Sequence, residues 1–114
     1  MSNISTHVLD TSRGIGAPGI EVALERMDSP GRWSPVAAAK TDGEGRVRSL
    51  LPAGVALAAG TFRLRFATGA YYSGRGEECF FPHVDVAFTV TEASRHYHVP
   101  LLLSPYGYST YRGT

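Results

Sequence analysis

Histidines and arginines carry most of the chemistry this chain can offer. His96 and His98 flank Tyr97, and residues two apart in an extended segment share a face. His7 stands in a run where Ile4, Thr6 and Val8 alternate with Ser5, His7 and Leu9. That alternation predicts a strand with His7 pointing away from the core. Imidazole takes a proton from water near neutral pH, and the planar fork of arginine holds a carbonyl or an anionic ring. His7, His98 and Arg46, with Tyr111–Arg112 in the tail, therefore suit hydrolysis of a polar planar heterocycle. Either imidazole could be the base, and His96 is read as a supporting group. The plainer reading of the same residues is that exposed strand faces need polar side chains.

Other chemistries fit less well. The His-x-His pair with His7 as a third ligand could hold a metal, but no cysteine or carboxylate accompanies it. Hydrolysis by histidine needs neither metal nor other cofactor. A serine-hydrolase set of His7 or His98, Asp10 and Ser104 has no Gly-x-Ser-x-Gly elbow, and Ser104 before Pro105 reads as part of a turn. Cys79 lies between Glu77-Glu78 and Phe80-Phe81, where acidic neighbours and burial both disfavour a thiolate. Gly14-Ile15-Gly16-Ala17-Pro18-Gly19 has the letters of a dinucleotide loop, but the alternating Ile20, Val22 and Leu24 predict a strand behind it. A pyrophosphate site needs a helix there. Asn3-Ile4-Ser5 matches a glycosylation sequon, which has no meaning without secretion.

The elements that must position these residues are strands. Besides the first, Trp33–Lys40 reads as a strand with Pro35 at an edge, and Thr41-Asp42-Gly43-Glu44-Gly45 as a turn leading into Arg46–Leu50. Phe62, Leu64 and Phe66 alternate with Arg63 and Arg65, and Val84, Val86, Phe88 and Val90 with Asp85, Ala87 and Thr89. Residues 69–79 lose that period and predict a short helix or ordered loop. Tyr97, Val99, Leu101 and Leu103 face the core, opposite His96, His98, Pro100 and Leu102. A Ser-Pro-Tyr-Gly corner then leads into a tyrosine-rich strand, and Tyr111, Arg112 and Thr114 crowd the tail as they would in a site. Roughly eight short strands predict an all-β sandwich or barrel.

Composition narrows the partners. A chain of 114 residues, 43% hydrophobic and 18% charged, makes one domain over 1–114. A net charge of +1 with no basic run gives no footprint for nucleic acid or an anionic membrane. A single cysteine and an N-terminus without a basic or apolar leader read as cytoplasmic.

Four stretches go further. Ser5-Thr6-His7-Val8-Leu9-Asp10, Thr41-Asp42-Gly43-Glu44-Gly45-Arg46, Phe80-Phe81-Pro82 and the long run from His96 to Gly113 together resemble the hydrolase branch of the transthyretin-related family, over essentially the whole chain. Thr114 departs from that branch's usual final serine, keeping a hydroxyl and adding a methyl. The resemblance implies a sandwich of two four-stranded sheets with one short helix. It also implies a homotetramer, a dimer of dimers, whose sites lie in a channel between dimers. The activity implied is hydrolysis of 5-hydroxyisourate, the unstable product of urate oxidation, with His7, Arg46 and His98 catalytic and Tyr111 and Thr114 closing the pocket on substrate. Clustered histidines of this kind could bind zinc adventitiously. The alternative is a noncatalytic carrier of aromatic molecules in the channel, or a structural module that binds no small molecule.

Overall fold

The computed structural model describes residues 3–114, and two β-sheets with one short helix make up its framework. One sheet comprises β3 (Glu21–Ser29), β4 (Arg32–Lys40), β6 (Gly60–Phe66) and β7 (Val84–Val90) in the order β4-β3-β6-β7, all antiparallel, the chain crossing from the edge strand β4 past β3 to β6. The other is built on β1 (Ile4–Asp10), with β2 (Ile15–Gly16), β5 (Arg46–Val47), β8 (Tyr97–His98), β9 (Leu101–Ser104) and β10 (Gly107–Thr110). These six segments form four lanes. β8 and β9 run along one side of β1 in the same direction, while β5 and β2 run along the other. Pro100, which has no N–H to donate, lies between β8 and β9. Val8 links the second lane across its gap, donating to Gly45 O at 2.7 Å and accepting from Ala17 N at 2.9 Å. The expected sandwich is borne out, with ten strand segments rather than eight.

A two-residue period accounts for the core. Val22 and Leu24 of β3, Leu64 and Phe66 of β6 and Val84 and Val90 of β7 are buried against Ile4, Val8, Leu101 and Leu103 of the second sheet. Fully burying a side chain of this size contributes about 1.5–3 kcal/mol. Outward-facing partners on the first sheet pair instead. Arg63 meets Glu25 at 2.6 Å and lies over Trp33, and Arg65 grips Asp85 with two bonds of 2.8 and 2.9 Å.

The helix α1 (Thr68–Ser73) fills the stretch where alternation stops. It brings Tyr71 and Tyr72 to Asp10 at the end of β1, with Oη to carboxylate distances of 2.8 and 3.3 Å. Ser12 and Arg13 complete that carboxylate's shell, and Arg13 also pairs with Glu77. Burial works to raise the Asp10 pKa, but hydrogen bonds from Ser12, Tyr71 and Arg13 outweigh it and hold the group at about 2. Burial and the Asp10 charge push Tyr72 up to about 12. Asp10 is thus a structural anchor. It shares its side of β1 with Thr6 and Val8, opposite His7, which removes it from any triad with that histidine.

Candidate active site

Two registers assemble the site. In the parallel pairing of β1 with β8, Ser5 stands beside His98, and in the antiparallel pairing with β5, His7 stands beside Arg46. Neighbours across a ladder have Cβ atoms about 4.5–5.5 Å apart. Because Ser5 and His7 share a face of β1, one side of the sheet carries Ser5, His7, Arg46 and His98, with His96 two residues before His98.

Arg46 is delivered by the turn before it. Asp42 accepts the backbone N–H groups of Glu44 and Arg46, both at 2.9 Å, and these bonds hold its carboxyl below the usual range. Gly45 closes the turn at φ +83°, and a Cβ there would lie 2.4 Å from the Val8 carbonyl oxygen. The same turn holds His7, whose Nε2 lies 2.9 Å from the Glu44 carbonyl oxygen. A carbonyl only accepts, so Nε2 carries the proton and a neutral His7 offers its lone pair at Nδ1.

His98 is held on three sides. Its Nδ1 lies 2.8 Å from Ser5 Oγ, its carbonyl accepts from Gly113 N at 2.8 Å, and its Cδ2 edge lies against Gly113. A Cβ on Gly113 would come within 2.5 Å of that Cδ2. Among the described residues, Nε2 has neither a hydrogen bond nor complete burial. Burial, then the positive charges of Arg46, His7 and His96, lower the His98 pKa, so the ring stays neutral below the usual histidine range.

These groups border a cleft of about 630 Å³. Arg46, Arg48, Arg95 and Arg112 line it beside His96, His98 and Thr114, with no acidic side chain. Arg48 and Arg95 have distant carboxylate partners, at 3.7 and 4.0 Å, and Arg112 lies over the Tyr97 ring. Arg46 has no side-chain hydrogen bond or ion pair among the described residues. An unpaired guanidinium beside the imidazole of His98 suits a planar, electron-rich or anionic ligand.

The predicted site residues are not all in one hollow. Arg46, His98 and Thr114 line the main cleft, while His7 opens with Arg46 onto a neighbouring one. Tyr111, 58% exposed, borders a third hollow with His98 and Arg112. His83 is remote, near Asp85 on the other sheet. Ser104 donates to Gly107 O at 3.1 Å within the β9–β10 corner, as its turn reading predicts. Among the described residues, no group of three or more His, Cys, Asp and Glu is disposed to hold a metal.

Sequence reading missed Ser5. It lies on the outward face yet is only 7% exposed, because His96 Nε2 at 2.7 Å and His98 Nδ1 at 2.8 Å sit over its hydroxyl. The signal available was a serine two residues from His7 on the same face.

A model of the HIUase/transthyretin family matches residues 4–113. The chain belongs to that family. It is 46% identical to the 5-hydroxyisourate hydrolase of Salmonella typhi over 99% of this chain and 82% of that one. The structure superposes on Klebsiella pneumoniae 5-hydroxyisourate hydrolase with TM-score 0.86 at 34% identity, covering 99% of this chain and 100% of that one. It superposes on transthyretin from Sparus aurata with TM-score 0.88 at 27% identity, covering 99% and 97%. Within the HIUase/transthyretin family, then, backbone shape does not separate hydrolase from transthyretin.

Proposed function

We propose that the chain hydrolyses 5-hydroxyisourate to 2-oxo-4-hydroxy-4-carboxy-5-ureidoimidazoline, within urate degradation. The observation that carries this reading is the shared face of His7, Arg46 and His98, set by the pairing of β1 with β5 and β8. The similarity to named hydrolases over nearly the whole chain supports it.

His98, neutral and open at Nε2, takes a proton from water as the oxygen adds to the ring carbonyl carbon. Arg46 binds the carbonyl oxygen and stabilises its developing negative charge. Collapse breaks the carbon–nitrogen bond as His98 Nε2–H returns its proton to the leaving ring nitrogen, and the new carboxylic acid loses its own proton to solvent to become a carboxylate. His7, with its lone pair at Nδ1, positions the water or substrate, and Tyr111 and Thr114 close over the ring. The step needs no metal or other cofactor.

The protein works as a cytoplasmic homotetramer, a dimer of dimers that encloses this face in a channel. Exposed Tyr106, Tyr108 and Tyr111 on and beside β10 support such an interface. No helix of the described residues is long and apolar enough to cross a membrane.

The test generates 5-hydroxyisourate with urate oxidase and follows its decay spectroscopically. Wild type accelerates the decay, and Arg46→Ala lowers kcat/KM about 100- to 1000-fold, as expected for loss of one oxyanion-stabilising group. No acceleration by wild type sinks the hydrolase, and full activity in Arg46→Ala sinks the assignment. A noncatalytic carrier instead predicts tight binding of aromatic ligands without turnover.

A further inference from the structure

We propose that Ser5 and His96 are positioning residues for His98, forming a chain in which one hydroxyl proton couples the tautomers of both rings and moves catalytic charge outward to His96. The proposal deepens the hydrolase reading and rests on it for its kinetic part.

Ser5 Oγ contacts His96 Nε2 at 2.7 Å and His98 Nδ1 at 2.8 Å, and has no third partner among the described residues. A hydroxyl has one proton to donate, and a neutral imidazole has one N–H and one bare nitrogen. If both rings presented bare nitrogens, one would have no proton to accept. If both presented N–H, the buried hydroxyl proton would be left without an acceptor. Two arrangements satisfy every atom. In the first, His98 Nδ1–H donates to Ser5, Ser5 donates to His96 Nε2, and His98 Nε2 is a base. In the second, every proton is reversed and His98 Nε2–H is a donor.

Turnover converts the first into the second with one added proton, held on His96. As His98 Nε2 takes a proton from water, its Nδ1 proton passes to Ser5 Oγ and the Ser5 proton passes to His96 Nε2. Water has lost one proton, His98 is neutral again, and His96 has become imidazolium. The charge then rests on an exposed ring rather than on a half-buried one beside Arg46. Gly113 holds the His98 ring from the other side, so Nε2 stays turned toward the open cleft in both states.

Nitrogen NMR of the assembled protein carrying [15N]histidine tests the coupling directly, with His96→Gln assigning the His96 signals. The two nitrogens facing Ser5 are expected to be complementary, one protonated and one bare, in wild type and in Ser5→Thr. Ser5→Ala, which removes the hydroxyl, should release both rings to independent tautomers. Two like nitrogens in wild type, or unchanged tautomers in Ser5→Ala, would overturn the proposal. In turnover, Ser5→Ala and His96→Gln should each lower kcat about 10- to 100-fold with KM within about 3-fold, a loss at the low end for general acid–base groups. Ser5→Thr should recover most of it. Wild-type kcat in Ser5→Ala overturns the relay, whereas a wild type that does not hydrolyse 5-hydroxyisourate overturns the hydrolase reading and leaves the NMR result to decide the coupling.

Discussion

Replacing Asp10 with asparagine tests whether the buried carboxylate at the end of β1 works through its charge. The side chain is fully buried and receives hydrogen bonds from Ser12, Arg13, Tyr71 and Tyr72. Its pKa falls from the ordinary 3.8 to about 2. At about 1.4 kcal/mol per pH unit, that difference contributes about 2 kcal/mol of folding stability at neutral pH. The folded pKa is the lower one, so the contribution is complete above the unfolded value and disappears as pH falls through the folded value. Roughly half is gone by about pH 3. Asp10→Asn also turns an amide donor toward Arg13 or Tyr71, both donors themselves, so the loss at pH 7 should be at least about 2 kcal/mol. Urea unfolding of both proteins at matched concentration, at pH 7 and at pH 3, measures the gap at each. It should shrink by about 1 kcal/mol at the lower pH. A gap that is the same at both pH values, or below about 1 kcal/mol at pH 7, would refute the charge-based account.

Three further outcomes follow from the site. Gly113→Ala places a methyl 2.5 Å from His98 Cδ2, so kcat should fall at least about 10-fold while circular dichroism stays unchanged; wild-type kcat would show that the ring has room to move. Burial and the charges of Arg46, His7 and His96 lower the His98 pKa, so the acid limb of kcat/KM should fall below the ordinary histidine value of about 6.5. A limb above that value would remove His98 as the base. Gly45→Ala, at φ +83° and 2.4 Å from the Val8 carbonyl oxygen, should cost at least about 1–3 kcal/mol in urea unfolding, and an unchanged midpoint would contradict the turn geometry.

What could be read from the sequence was whatever a period of two encodes. Alternation in β1 and in the 97–103 segment separated core residues from outward histidines, and the helix appeared where alternation stopped. It also carried Asp10's role, since residues 4, 6, 8 and 10 share a side, but a buried carboxylate is legible only with its tyrosine partners 61 and 62 residues away. Register between remote strands leaves no local trace. Nothing near Ser5 announces a bond to His96 across 91 positions, nor does the turn at 41–45 state that Arg46 stops beside His7. Those placements came through the resemblance, and the ladders supply their physical reason. The break at Pro100 likewise divided one expected strand into two short pieces, β8 and β9.

The parallel ladder between β1 and β8 has a consequence for biosynthesis. Ser5 leaves the ribosome about 90 residues ahead of His96 and His98. At about 5–20 residues per second, β1 waits several seconds with a polar edge open and its future neighbour unmade. The sheet of β3, β4, β6 and β7 can close during that interval, because each pairing is complete once its own strands have emerged. The sheet that carries the chemistry cannot. A nascent chain stalled before residue 96 would carry half a sandwich without His96 and His98, so the segment from residue 96 onward completes both the second sheet and the proposed site.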